Sequence, residues 1–418
     1  MDNEDWLAVL LGFLSLVLVL AGVRPDLPAF AWATTGDLAG GVLTSHNLTK
    51  TLTVGVELGV LGSIAVVMMK GPLGRFALGF PVVYGVSWLA QVVAGHTVAS
   101  ALGFEYVIFA LVLGLVISNV FGLPAWLREA ARTEFYIKTG LVILGAGMLF
   151  GDLAKGGLLG IAQALLVVVA VWFVCFWLSR RLRVDEELAT MMATAVSICG
   201  VSAAIAACGA IQGDRKKLSY VTSLVLIVAA PMIVVMPQIV NAFHIPDVVG
   251  GAWLGGTLDT SASVVAAGEV ISDRARNAAV VVKLSQNVLI GVAAFILTMW
   301  WTLKDPVRTS DRPRAAVIWQ RFPKFVLGFL VASFVFSFLI DPSLVSETKG
   351  VLAGLRTMWF ALAFTSIGLE TRFSELVSTG GGRPALAFIG GQAFNLVWTL
   401  LLAYAIFGGF WFRVPAFD

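Results

Sequence analysis

Long apolar runs separated by short charged stretches set the pattern of this chain. Runs with few or no charges recur from end to end, at 6–23, 52–69, 76–94, 104–121, 136–151, 158–178, 188–211, 218–242, 250–268, 277–303, 323–340, 352–370 and 384–408. A run of about 18 or more apolar residues can cross the ~30 Å hydrocarbon core of a bilayer as a helix. Lipid offers no partner for an open strand edge, so such runs predict helices. No long alternating pattern of the barrel type appears. The expected fold is all-α: a polytopic integral membrane protein of about 11–13 transmembrane or re-entrant helices, with no soluble domain. Four runs are weaker candidates because of a charge, Glu57, Lys138, Asp259 and Lys283 respectively.

Two runs depart from ordinary lipid-facing composition. Ser197-Ile198-Cys199-Gly200-Val201-Ser202-Ala203-Ala204 continues in small residues to Gly209, whereas Leu158–Leu178 is built of bulky aliphatic and aromatic side chains. Small residues let backbones approach closely, or let a helix break at membrane depth. The first option makes this stretch a packing seam; the second makes Ser197, Cys199, Gly200 and Ser202 part of a substrate site. The other run is Gly255-Gly256-Thr257-Leu258-Asp259-Thr260-Ser261-Ala262-Ser263. A carboxylate in an apolar run is costly and faces a cavity or a partner. Asp259 either caps a helix starting at Thr260 or serves an ion. Both uses require a helix that begins inside the membrane, so two broken helices are expected.

Lys and Arg in short loops mark the cytoplasmic side. Lys304, Arg308, Arg312, Arg314, Arg321 and Lys324 form the densest group. Arg180-Arg181 with Arg183, Arg128 with Arg132, and Lys70 with Arg75 agree with it when every run is a full crossing, which puts the N-terminus in the cytoplasm. Asp214-Arg215-Lys216-Lys217 and Arg274 with Arg276 then fall on the wrong side. Re-entrant segments at 188–211 and 250–268 would return Lys216 to the cytoplasm and leave Arg274 misplaced. Gly145, Phe150, Asp152, Leu153 and Gly157 share their spacing with Gly368, Phe373, Glu375, Leu376 and Gly380. The two sets lie seven runs apart, an odd offset that would make the copies inverted in the membrane. The expected organisation is an N-terminal addition at 1–75 and a core at 76–408, with halves at about 76–242 and 250–408.

Composition narrows the function. Of 418 residues, 59% are hydrophobic and 13% charged, and the net charge is +3. Mean hydropathy is +0.92. No basic patch with interleaved aromatics points to nucleic acid. Cys175, Cys199 and Cys208 lie in apolar runs and read as small buried side chains. His46, His96 and His244 have no metal-ligand spacing, and neither metal nor cofactor is expected. No nucleophile elbow, Walker loop or dinucleotide fingerprint is present, so no catalytic residue is assigned and the chain is read as a non-enzyme. Lys283 and Asn287 are four apart and share a helix face. Lys283 either snorkels to the interface, pairs with Asp259 or contacts an anion. Glu57 is a proton-carrying carboxylate or a buried cap. Asn119, Gln392 and Asn395 read as polar glue between helices.

The run from Ser197 to Gly200, the block Gly255–Gly268 continuing through Ile271-Ser272, Asn277–Val280 and Lys283, and Gly368–Ser374 with Pro384 together resemble the sulfate exporter family of YeiH-type conserved membrane proteins (UPF0324). The resemblance spans roughly residues 100–408. It implies an inner (plasma) membrane, multi-pass transporter, distantly related to cation/proton antiporters and bile-acid symporters, with inverted repeats and crossing broken helices. The expected activity is secondary active transport of a small anion, sulfate or another sulfur oxyanion or sulfonate, coupled to H⁺ or Na⁺. Ser197, Cys199, Gly200, Ser202, Gly255, Gly256, Thr257, Thr260, Ser261 and Ser263 are the expected substrate-binding residues. Asp259, Lys283, Asn287 and Glu57 are the expected ion-coupling residues. Expected partners are the anion, the coupling ion and the lipid bilayer, with a homodimer admitted and no nucleic acid. A cation/proton antiporter with Asp259 as ion ligand is the competing transport reading. An intramembrane enzyme or a structural membrane protein is the reading outside transport.

Overall fold

The computed structural model describes residues 2–101, 106–304, 319, 322–371, 382–412 and 417. Its principal helices are α1 (Asp2–Leu20), α2 (Ser45–Met68), α3 (Leu73–Ala94), α4 (Tyr106–Val116), α5 (Thr133–Gly145), α6 (Phe150–Arg181), α7 (Glu186–Thr194), α8 (Val201–Ile211), α9 (Arg215–Ala242), α10 (Asp247–Thr257), α11 (Ser261–Ile271), α12 (Asp273–Lys304), α13 (Lys324–Phe338), α14 (Pro342–Glu370) and α15 (Arg383–Phe407). Each apolar run of the sequence is a helix or a pair of helices. No named strand occurs among the described residues. Seven helices (α2, α3, α6, α9, α12, α14 and α15) are long and apolar enough to cross a membrane. The chain is an all-α, multi-pass membrane protein.

Helix starts follow short polar side chains. Thr44 accepts from the Asn47 amide, Asp185 from Leu188, Asp214 from Lys216 and Asp341 from Ser343. Each satisfies one amide that a helix start leaves orphaned.

The chain forms two compact units. The first comprises residues 1–150 and 324–371. There α4 and α14 approach backbone to backbone: a Cβ on Gly114 would stand 2.9 Å from the Gly368 Cα. Beside this seam the Ser118 hydroxyl donates within reach of the Gly368 (3.0 Å) and Thr371 (2.9 Å) carbonyls. α1 is fixed by charge. The Lys138 ammonium lies 2.9 Å from one Asp5 oxygen, and the Lys324 amide donates to the other at 2.9 Å.

The second unit comprises residues 151–323 and 372–418. Its organising feature is a pair of helical hairpins. The first is α7, a π-helical turn at Ala195–Cys199, and α8. Its two ends meet: Lys217 at the start of α9 lies 2.6 Å from Asp185 and 3.1 Å from Glu187. The second hairpin is α10 and α11, and its ends also meet, with the Ser272 hydroxyl 2.6 Å from Asp247. Each segment therefore enters and returns at the same end of the unit. An 11-residue helix such as α8, α10 or α11 is about 16 Å long, half the hydrocarbon thickness.

The hairpins enter from opposite ends. The 28 residues of α9 separate the foot of the first from the foot of the second. α12 then runs back, and Lys304 at its end pairs with Glu186 at the first hairpin's foot. Along α12, Ala275, Ala278, Ala279 and Val282 pack on Gly251 and Gly255 of the second hairpin. Further on, Ile290, Ala294, Leu297 and Trp301 share a core with the first. The resemblance implied crossing broken helices, and the charge pattern admitted re-entrant segments. The helices are broken where expected, and at each break the chain turns back. Lys216 thereby returns to the end of the unit that holds Arg180-Arg181.

Arg276, on the wrong side by the charge rule, is buried and paired with Glu269 at 3.0 Å and with Asp273. Its charge is neutralised locally, so it carries little orienting weight. Each compact unit draws on both expected sequence halves, so the units describe packing and not repeat ancestry. Phe373, Ser374, Glu375, Leu376 and Gly380, which carry the second copy of the spacing repeat and part of the third family block, lie outside the described residues. So do Arg308, Arg312, Arg314 and Arg321.

Candidate functional site at the hairpin tips

The tip of the first hairpin is Gly200, with φ 51° and ψ −113°. A side chain rarely adopts that conformation, and a Cβ there would stand 2.7 Å from Val225 and 3.1 Å from the Asp259 Cβ. The tip of the second hairpin is Leu258-Asp259-Thr260. The two tips are thus in contact, Gly200 against Asp259, at the point where both helices reverse.

Reversal exposes carbonyls. The end of the first descending helix leaves those of Val196, Ser197 and Ile198 without intrahelical partners, and the end of α10 leaves those of Gly256, Thr257 and Leu258. Three side chains serve them, and each serves both tips. Lys283 Nζ donates to the carbonyls of Ile198 at 2.6 Å and Leu258 at 2.7 Å. Gln286 Nε2 donates to Ser197 at 2.7 Å and Gly256 at 3.3 Å. Asn395 Nδ2 lies 3.3 Å from the carbonyls of Val196 and Thr257. Gln392 Nε2 adds a second bond to the Thr257 carbonyl at 2.8 Å. The third ammonium donor of Lys283 goes to Gln286 Oε1 at 2.9 Å. Lys283 is 2% exposed, so it does not snorkel. Its charge sits where two helix C-termini converge, each equivalent to about half a negative charge.

Asp259 is 2% exposed, and neither carboxylate oxygen has a hydrogen-bond partner. It does not cap the second ascending helix. Thr260 does, accepting from the Ser263 amide at 3.0 Å and lying 2.7 Å from the Ser263 hydroxyl. Lys283 bears on Asp259 electrostatically without bonding to it. Three further buried oxygens of the same neighbourhood are unpartnered: Thr257 Oγ1, Asn287 Oδ1 and Gln392 Oε1.

Most residues singled out in the sequence meet here. Ser197 and Cys199 are buried in the π turn. Ser202 is half-buried in the first turn of α8, which has no side-chain cap. Ser261 accepts from Asn287 Nδ2 at 3.0 Å. Gly255 lets α10 approach the Ala279 carbonyl of α12, and Gly256 faces Thr399 and Gln163. Glu57 is not among them: it is half-buried on α2 in the first unit. Sequence reasoning gave Gln286 no role of its own and took Gln392 and Asn395 for glue. Their signal was amides in otherwise apolar helices, with Gln392, Asn395 and Thr399 spaced three and four apart on one face of α15. Cys175, Cys199 and Cys208 are buried and not joined by a disulfide. Among the described residues no three His, Cys, Asp or Glu side chains cluster as metal ligands.

These features define a multi-pass membrane protein with two opposed half-membrane hairpins whose tips enclose a buried carboxylate and a buried lysine. The chain belongs to the family of UPF0324 membrane proteins: the family described as Conserved hypothetical protein 698 matches residues 78–387. It is 41% identical over 375 residues to UPF0324 membrane protein RB9488 of Rhodopirellula baltica, covering 87% of this chain and 69% of that one. It is 37% identical over 364 residues to a UPF0324 membrane protein of Nitratidesulfovibrio vulgaris, covering 84% of this chain and 63% of that one. The chain thus spans about two thirds of the length of these relatives. It is also 26% identical over 316 residues to the UPF0324 inner membrane protein YeiH of Salmonella typhimurium, covering 72% and 88%. No solved structure matches the chain.

Proposed function

We propose that this protein is a secondary active transporter of the inner membrane that carries a small anion, sulfate or another sulfur oxyanion or sulfonate, coupled to H⁺ or Na⁺. The observation that carries the reading is the meeting of two opposed hairpin tips around Asp259, whose buried oxygens have no partner. Discontinuous helices ending near the bilayer midplane place polar backbone where it meets only protein or a solute. The uncapped start of α8 turns the Val201–Ala203 amides and the half-buried Ser202 toward that region, and helix N-termini favour anions. Lys283 has its three donors committed to protein. Its part is to hold the tips, not to bind the anion. The anion itself comes from the family resemblance.

The test is uptake of labelled sulfate into proteoliposomes. The expected result is saturable uptake that falls at least about tenfold in Asp259→Asn and drops in Ser202→Ala. A cation/proton antiporter is the second reading. It is favoured by one observation: the unpartnered side-chain atoms at the tips are all oxygens, each able to accept, and only the Thr257 hydroxyl can also donate. Dye-reported Na⁺/H⁺ exchange that persists with no permeant oxyanion present would establish it in place of anion transport.

A further inference from the structure

The charge balance at the tips is unequal. Lys283 has three ammonium donors and all three are used, on Ile198, Leu258 and Gln286. An ammonium with three acceptors is fully charged, and the two helix C-termini it joins together carry about one opposing charge. Lys283 is therefore balanced without Asp259. Asp259 retains a buried carboxylate with no hydrogen bond to either oxygen. A buried unpaired charge of that kind does not persist alone.

Three neutral oxygens on, or anchored to, the 257–261 segment are also unmatched. Gln392 turns its nitrogen to the Thr257 carbonyl, an acceptor only, so its free atom is the oxygen. Asn287 turns its nitrogen to the Ser261 hydroxyl, and its oxygen is free. Thr257 Oγ1 is free, two residues before Asp259. Both amides are thus anchored on the 257–261 segment that carries the carboxylate. A proton on Asp259 supplies one donor and satisfies one of these acceptors. A small oxygen-seeking cation satisfies several at once. One carboxylate with neutral oxygens suits a single positive charge, since divalent ions recruit more anionic ligands.

We propose that the second hairpin tip is a sodium site, with Asp259, Thr257 Oγ1, Asn287 Oδ1 and Gln392 Oε1 as its ligands. Lys283 lies outside it as the fixed brace. This rests on the reading of the tips as a transport site and names the coupling ion.

The experiment uses the full chain, purified in detergent. Thermal unfolding is followed while NaCl replaces choline chloride at constant ionic strength, with KCl as the second comparison. The expected result is a saturable rise in midpoint with Na⁺ that K⁺ and choline do not give. Thr257→Val keeps the side-chain shape and removes one ligand. It should unfold at or above the wild-type midpoint in choline, since an unpartnered buried hydroxyl is removed, and require about tenfold more Na⁺. Asp259→Asn should abolish the Na⁺ response. An identical response of the wild type to the three salts overturns the proposal. The same preparation, reconstituted, separates this from the transport reading. Sulfate uptake driven by a proton gradient in choline, with no Na⁺ response, removes the sodium site and leaves transport. A Na⁺ response with no oxyanion flux leaves the site and removes anion transport.

Discussion

Gly200 and Lys283 do opposite work at the same point. Gly200 permits the reversal, because its φ of 51° and its contact with Asp259 leave no room for a side chain. Gly200→Ala combines a disfavoured backbone with overpacking against Val225, and should cost about 2–5 kcal/mol, read as a lower unfolding midpoint. Lys283 holds what the reversal exposes. Lys283→Met is close in size but leaves the Ile198 and Leu258 carbonyls and Gln286 without their donor, a loss of about 3–5 kcal/mol. An unchanged midpoint in Lys283→Met would show that the ammonium does not brace the tips. Asp259, Lys283 and the small-residue stretch were legible in the sequence because a charge or a glycine in an apolar run is conspicuous. Gln392 and Asn395 were not. A membrane amide that joins two helices and one that serves an exposed carbonyl have the same sequence signature, and only distance separates them.

At the scale of elements, the decisive fact is that both interrupted segments close on themselves. The sequence carried half of this in the basic Asp214–Lys217 loop, which fits the charge rule only if the preceding segment returns. It admitted the second reversal but gave it no charge support, because the pairing of Arg276 with Glu269 and Asp273 hides the orienting charge there. In protein with Cys175, Cys199 and Cys208 replaced, two engineered pairs test the arrangement. Asp185→Cys with Lys217→Cys, and Asp247→Cys with Ser272→Cys, should each form a disulfide on mild oxidation. An impermeant maleimide should reach the first pair from the cytoplasmic face and the second from the other face. Through-going helices would give no bridge in either. The seam of the second hairpin makes a further prediction. A Cβ on Gly251 meets the Ala275 carbonyl, so Gly251→Leu should separate α10 from α12 and cost about 3 kcal/mol or more, seen as loss of monodisperse protein.

For the molecule as a whole, the family match begins at residue 78, yet the residues before it are structural. Asp5 holds both Lys138 and the Lys324 amide, and Gly12 lies against Val142. Asp5→Ala leaves the buried Lys138 ammonium with Glu134 alone, at 3.3 Å, removes the acceptor of the Lys324 amide, and should cost about 2–3 kcal/mol. It should lower the unfolding midpoint, with any Na⁺ response of the second unit kept. The sequence counted α1 as an addition. That reading was open because an acidic residue at a run's edge, beside Asp2 and Glu4, gives no sign of a lysine more than a hundred positions away. The class, the helices and the place of both breaks were legible, because bilayer thickness and backbone satisfaction leave few alternatives. The closures were legible only in part, since the pairs that make them, Asp185 with Lys217 and Asp247 with Ser272, leave no pattern in the sequence.

The double-ended grip on the hairpin tips has a consequence for how the chain is made. Lys283 follows its Ile198 partner by 85 residues, and Asn395 follows its Val196 partner by 199. At about 5–20 residues per second, the first hairpin waits some ~10–40 s for its last donor. Until Lys283 and Gln286 are made, the Ile198 and Ser197 carbonyls lack their donors, and the Val196 carbonyl lacks its donor for the whole interval. Its insertion must therefore be late or escorted. A ribosome stalled after α12 but before α15 should yield a chain whose first hairpin is still open to protease from the cytoplasmic face, and release of the stall should close it.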